Sequence, residues 1–470
     1  MSKEQFKSIL LVFLLSLSVY QVGQLWFEDL SGHNFFYHVI VQRLEGYKKN
    51  QPTERHSLNK PHKVVVYFGD SEKEFVVLSN TRGEAAEFQK IAQDVLKVTM
   101  QRGEYTGSFS LNPEKGDGMA SLWKFPGVIL DYRFSFPFTS LPWELGIKSL
   151  SYGKEIGSFD QIWLLVNQKT QGAEYQAFFI NQQEQMAHQV VWKVEQPKEP
   201  LMELMKQLES KQFWTYSSSK KDGLSKFEKN VFLPVNTQES YVNQVVFLEN
   251  PILEDGEINE ELLEEMLNPF FENYTLKWMI KKENNRYVYG DDGIIIKYFP
   301  EGIIEYSNQT IQGKKGEMSL EEGYQVAKTF LNRDQQLTRQ EYDLVSYEKT
   351  ADGYYFYFDY SFYDFPYIIS ENIKEELGIN YPIEIWVQNY QVKVYRRWIM
   401  EQKHLSIYFK EMQDTYTAAY DRLARRLTTA QKQAPIQDLF LGYYQENIGE
   451  NPQLSWIFSI DDQWYYERVK

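Results

Sequence analysis

Apolar and polar positions divide the chain unevenly. Ser8 to Phe27 is a run of twenty residues without a charge. A helix of that length rises about 30 Å, enough to cross the hydrocarbon core of a bilayer. Lys3 and Lys7 precede the run, Glu28 and Asp29 follow it, and Trp26 and Phe27 stand where an interfacial aromatic anchor belongs. The asymmetry predicts a cytoplasmic tail (1–7), a transmembrane signal anchor (8–27) and an extracytoplasmic remainder. A cleaved signal peptide is the rival reading. It fits less well, because the run exceeds a usual apolar core and no small-x-small site ends it. Residues 28–60 read as a juxtamembrane linker, punctuated by Pro52.

Beyond the linker the rhythm turns to strands. Val64 to Phe68 and Phe75 to Leu78 are strand-like runs around a polar turn. Phe88, Ile91, Ala92, Val95, Leu96 and Val98 follow a helical spacing across Gly83 to Met100. Further strands are predicted over 128–136, 160–166, 174–180 and 189–194, with a closing helix over 201–208. In the second half, 286–289, 294–299 and 303–306 form a meander whose Gly turns supply positive φ. Ser319-Leu320-Glu321-Glu322 is a capping box opening a helix. Strands at 342–347, 354–362, 383–388 and 391–398 follow. A last helix, Thr415 to Lys432, precedes a Tyr- and Trp-rich tail. The expected fold class is α+β: an N-terminal transmembrane helix, then two or three extracytoplasmic domains of antiparallel sheets with helices packed on them. The predicted division is 61–236 for the first domain and 237–470 for the remainder, taken whole or split near 313.

Composition narrows function more than fold. The chain has 470 residues, 43% of them hydrophobic, with 34 Tyr, 31 Phe and 11 Trp, which suits pleated, half-buried surfaces. Its net charge of −15 argues against nucleic acid as a partner, because phosphates need neutralising by Lys and Arg. It holds no cysteine, so disulfides, thiolate chemistry and Cys-ligated metals are excluded.

The candidate constellations are weak as catalysts. Phe68-Gly69-Asp70-Ser71 follows a strand as in GDS-type hydrolases, yet none of His33, His38, His56, His62, His188 and His404 stands three residues after an Asp to serve as the base. Glu401-Gln402-Lys403-His404 is the nearest imitation, and a polar turn accounts for Gly69 to Ser71. Asp255 to Glu260 faintly resembles a calcium loop but lacks Gly at the sixth position, and reads better as an acidic helix start. No metal, cofactor or catalytic residue is therefore expected.

Two partner surfaces remain. Ser18, Gln21 and Gln24 recur at three-residue spacing on one face of the predicted anchor, flanked by Leu14 and Leu25. Either a partner helix accepts their hydrogen bonds or the glutamines reach interfacial water. Arg422, Arg425 and Arg426 form a basic face beside Leu423 and Leu427. That face is either solvated or a docking surface for an acidic partner.

The anchor ending in Gln24-Leu25-Trp26 resembles the start of YycH-type proteins. The meander carrying Tyr287, Gly293, Tyr298, Gly302, Glu305 and Tyr306, with the helix from Ser319, resembles the module shared by YycH and YycI. The resemblance covers the anchor and residues 238–408, and implies a YycI-like C-terminal region. It implies an extracytoplasmic, single-pass accessory protein of the WalK (YycG) sensor histidine kinase of Gram-positive cell-wall homeostasis. Contacts would run through the transmembrane helix, and a heterodimer with a YycI-like protein becomes an option. The expectation is a non-enzymatic regulator. The alternative is a membrane-tethered module that binds wall polymer or peptide, built on a PepSY-like helix-on-sheet unit around 319–400.

Overall fold

The first sheet is buried on both faces, and its sequence says why. In β1 (Lys63–Tyr67) the even residues Val64 and Val66 enter one apolar core, while Val65 and Tyr67 enter another. An apolar run without alternation can be stable as a strand only if something covers each face. The computed structural model describes residues 57–470 apart from 59, 70–73, 80–82, 113–121, 124, 149, 170, 196–199, 210–213, 236–240, 244, 272–276, 284–285, 292, 311–316, 335–340, 364, 404–408 and 462. The predicted tail, anchor and stripe, and nearly all of the predicted linker, lie outside these residues. No helix among the described residues is long and apolar enough to cross a membrane.

β1 pairs with β2 (Phe75–Ser79), and then come α1 (Gly83–Arg102), β3 (Glu104–Ser110), β4 (Gly127–Pro137) and the short α2 (Ser140–Glu144). β5 (Ser158–Gln168), β6 (Ala173–Asn181), β7 (Met186–Val194), α3 (Pro200–Glu209), β8 (Thr215–Ser218) and β9 (Phe232–Pro234) complete an antiparallel sheet of order β3-β7-β6-β5-β4-β1-β2-β8-β9. α1 buries Phe88, Ala92, Val95, Leu96 and Met100, and packs on β6, β7 and α3. The second core sits on the other face, where Trp123 meets Trp163 at 4.5 Å and Phe75 at 5.6 Å.

After α4 (Glu260–Leu267) the chain builds a second sheet. It contains β10 (Trp278–Glu283), β11 (Arg286–Asp291), β12 (Ile294–Tyr298), β13 (Ile303–Asn308), then α5 (Leu320–Leu331), β14 (Glu341–Lys349), β15 (Gly353–Phe362), β16 (Phe365–Ile369), α6 (Glu371–Leu377), β17 (Ile383–Gln388) and β18 (Gln391–Trp398). It ends with α7 (Tyr416–Ala424), α8 (Thr429–Gln433), β19 (Ile436–Gln445), β20 (Gln453–Ile460) and β21 (Gln463–Arg468). The order is β10-β11-β12-β13-β18-β17-β15-β16-β19-β20-β21, with β14 on the free side of β15. All its pairings are antiparallel except β16 with β19.

The predicted capping box forms as read: Ser319 accepts from the Glu322 N–H at 3.2 Å, and Glu322 reaches back to the Ser319 N–H at 2.9 Å. One face of the second sheet packs on α5, where Phe330 meets Tyr306 at 4.9 Å and Tyr395 at 5.3 Å, and Tyr324 meets Phe356 at 5.8 Å. The opposite face carries a cross-strand charge ladder. Lys297 lies 3.6 Å from Glu305, Glu305 lies 2.6 Å from Arg396, and Arg396 lies 4.0 Å from Glu384. Register places these residues directly opposite one another, the arrangement in which unlike charges stabilise a sheet.

One expectation is corrected. The helix predicted over Thr415 to Lys432 is two helices. Thr428 accepts from the Gln431 N–H and Gln431 reaches back to the Thr428 N–H, a second capping box that restarts the backbone. The aromatic tail forms three strands, β19 to β21, and Glu228 donates its N–H to Ile436 O at 2.9 Å while Ile436 donates to Lys226 O at 2.8 Å. Residues 57–470 are thereby one compact unit.

Candidate functional site at the seam between the sheets

β4 runs in register with β5 as far as Asp131 opposite Gln161, and resumes at Phe136 opposite Phe159. Four residues, Tyr132 to Ser135, thus bulge against a single residue of β5. A bulge re-aims side chains, and here it directs Arg133 and Phe134 at the second sheet. Phe134 meets Tyr347 of β14 edge-on at 5.6 Å. The Arg133 Nη1 atom lies 3.6 Å from the Asp359 carboxylate on β15, both side chains being largely buried.

The chain enters this seam from its N-terminal side. Ser57 donates its hydroxyl to Glu144, and Lys60 reaches Asp343 of β14 at 3.2 Å. The His62 N–H donates to Asp131 O at 2.7 Å. Arg133 Nε donates to His62 Nδ1 at 3.2 Å, which requires that nitrogen to be unprotonated. Nearby, Lys328 of α5 lies 4.1 Å over the Tyr342 ring.

Burial dominates the electrostatics. It holds the His62 ring well below its ordinary range, and the Arg133 charge adds to the effect. It pushes the Asp359 carboxyl up to about 7, because the Arg133 contact is too long to be a hydrogen bond and only partly offsets desolvation. Asp131, buried beside Gln161, is pushed to about 6. Asp160, which accepts from the Gln182 N–H, is pushed to about 7. Burial lowers Lys328 to about 8. No group of three His, Asp or Glu side chains among the described residues could hold a metal ion. The arrangement joins the two sheets through buried ionisable groups.

The sites predicted from sequence fare unevenly. The partner stripe Leu14, Ser18, Gln21, Gln24 and Leu25 lies outside the described residues, as do Asp70, Ser71 and His404. Gly69 is at a turn with φ of 80°. His188 bonds Tyr105 at 3.0 Å. Asp255 to Ile258 forms a hairpin turn, and Asn259 caps α4, so the faint calcium loop is a turn followed by the acidic helix start.

The basic face is partly paired within the fold. Arg422 grips Asp414 with two hydrogen bonds of 3.0 and 2.5 Å, contacts Glu467 at 3.3 Å, and donates to Arg468 O at 3.3 Å. Arg426 pairs with Glu467 and donates to Tyr466 O at 2.8 Å. Both guanidiniums donate to backbone carbonyls of β21 at the sheet's outer edge, Arg422 half-buried and Arg426 still exposed. Arg425 is exposed and does not join that pairing.

Neither a family model nor a curated protein matches the sequence. Among solved structures, the crystal structure of YycH from Bacillus subtilis aligns with a TM-score of 0.53 over 88% of this chain and 97% of that one, at 13% identity. The fold is that of YycH. The C-terminal domain of YpeB from Bacillus megaterium aligns with a TM-score of 0.26, at 11% identity, over 46% of this chain and 94% of that domain. The likeness to YycH spans both sheets of this chain.

Proposed function

We propose that this chain is a non-enzymatic, membrane-anchored regulator that biases a cell-wall-sensing two-component histidine kinase. The observation that carries the reading is the YycH fold across 88% of the chain. The uncharged run from Ser8 to Phe27, positive before and negative after, supports a single-pass anchor with the body outside the cell. Regulation of this kind needs differential contact with two states of the kinase. The anchor face of Ser18, Gln21 and Gln24 and the extracytoplasmic body supply two sets of contacts. Heterodimerisation with a YycI-like protein is compatible with the same anchor.

Cysteine cross-linking tests the anchor contact cleanly, because the chain has no cysteine of its own. A cysteine at Gln21 or Gln24 is expected to trap the kinase's transmembrane helix in membranes, while one at Val12 or Val19, off that face, traps none. Equal trapping from every position, or none from any, contradicts the anchor contact.

A further inference from the structure

We propose that the Arg133–Asp359 contact is a proton-controlled latch: proton uptake by Asp359 holds β4 against β14 and β15, and proton loss loosens that seam. The geometry supplies the reason. Arg133 spends its Nε hydrogen on His62 and stands 3.6 Å from Asp359, too far to give the carboxylate a hydrogen bond in exchange for lost water. A buried carboxylate so poorly served is more stable neutral. Opening the seam returns it to water and lets it ionise.

The groups facing Asp359 are Arg133 from β4, Asp343 from β14, Lys374 from α6, Tyr367 from β16, and Tyr381 from the turn after α6. Those facing His62 are Arg133, Lys63 and Lys60. The two titrating groups act in opposite senses. Asp359 holds its proton more tightly in the closed seam than in water, so closure strengthens as pH falls through about 7. His62 holds its proton less tightly when closed, so below its ordinary value it favours opening. Closure therefore weakens on the alkaline side and levels off on the acid side. The latch stands where the N-terminal segment joins the body, so external acidity sets how firmly that junction is held. The kinase reading is not required for this, since the measurement needs only the chain itself.

The test is hydrogen–deuterium exchange of the full-length chain, followed on peptides covering 341–362 and corrected for the intrinsic pH dependence of exchange. Between pH 6.5 and 8 the opening constant is expected to rise about twofold in wild type, a roughly fourfold rise from Asp359 being about half offset by the loss of the His62 proton from the open form, and about fourfold in His62→Gln. Asp359→Asn is expected to abolish that rise and to open further as pH falls to 5, His62 then acting alone. His62→Gln keeps an acceptor for Arg133 and is expected to tighten continuously down to pH 5. A flat wild-type profile between pH 6.5 and 8, or the same rise in Asp359→Asn, overturns the proposal. Should Asp359→Asn fail to fold, wild type and His62→Gln decide it, since both must show the alkaline rise.

Discussion

Arg422 holds Asp414 in a bidentate grip, and Asp414 is almost wholly enclosed. The pair commits Arg422 to internal structure, and the same guanidinium also donates to the β21 edge. Removing one partner of an enclosed ion pair strands the other. Arg422→Ala is therefore expected to cost about 3 kcal/mol in urea unfolding, while Arg425→Ala changes stability by less than about 0.5 kcal/mol. Equal effects would contradict this division of roles.

Asp131, Asp160 and Asp359 all hold their protons more tightly in the fold than in the open chain, with values near 6, 7 and 7. Stability from such groups is fully present below the ordinary carboxyl range and is lost as pH rises through 6 to 7. Thermal unfolding is expected to shift upward as pH falls from 8 to 6. Asp160→Asn can still accept from the Gln182 N–H, and at pH 8 it is expected to stabilise by on the order of 2 kcal/mol. A variant no more stable than wild type at pH 8 would contradict the assignment.

Ser319 closes the capping box at the head of α5. Ser319→Ala is expected to cost about 1 kcal/mol, read as a lower urea midpoint. Faster hydrogen exchange in 320–323 should accompany it, with the end of the helix unaffected.

Gly353 opens β15 against β17, where an added Cβ would stand 1.9 Å from Val387 O. Backbone cannot yield as a side-chain tip does. Gly353→Ala is expected to destabilise by about 2 kcal/mol or more, in contrast to Gly157→Ala, whose Cβ would meet nothing within 4 Å.

Much of the architecture was legible in the order of residues. Strands such as 383–388 and 391–398 stand where apolar alternation put them, and the Ser319 box formed as read. The helix from Thr415 was overextended because Thr428 and Gln431 were not recognised as a second cap. The tail after Pro435 was not divided into strands; β19 to β21 pair in sequence, and they join the sheet only through β19 lying parallel to the distant β16. The seam had a faint signal: Arg133 is a lone cation in an apolar strand, and Asp359 a lone anion in an aromatic one. What the sequence could not show is that a four-residue bulge brings those two charges together. The arginine face shows the opposite limit. Its cations were visible, but Asp414 and Glu467, which occupy them, are distant in sequence or on another element.

The central claim is that this chain alters the output of a sensor histidine kinase. Its most direct test is autophosphorylation of a cell-wall-sensing kinase reconstituted in vesicles, with the full-length chain present or absent. The rate is expected to change at least severalfold, in either direction, and the change to shrink when Ser18, Gln21 and Gln24 are all replaced by Leu. An unchanged rate at saturating amounts of the chain would contradict it.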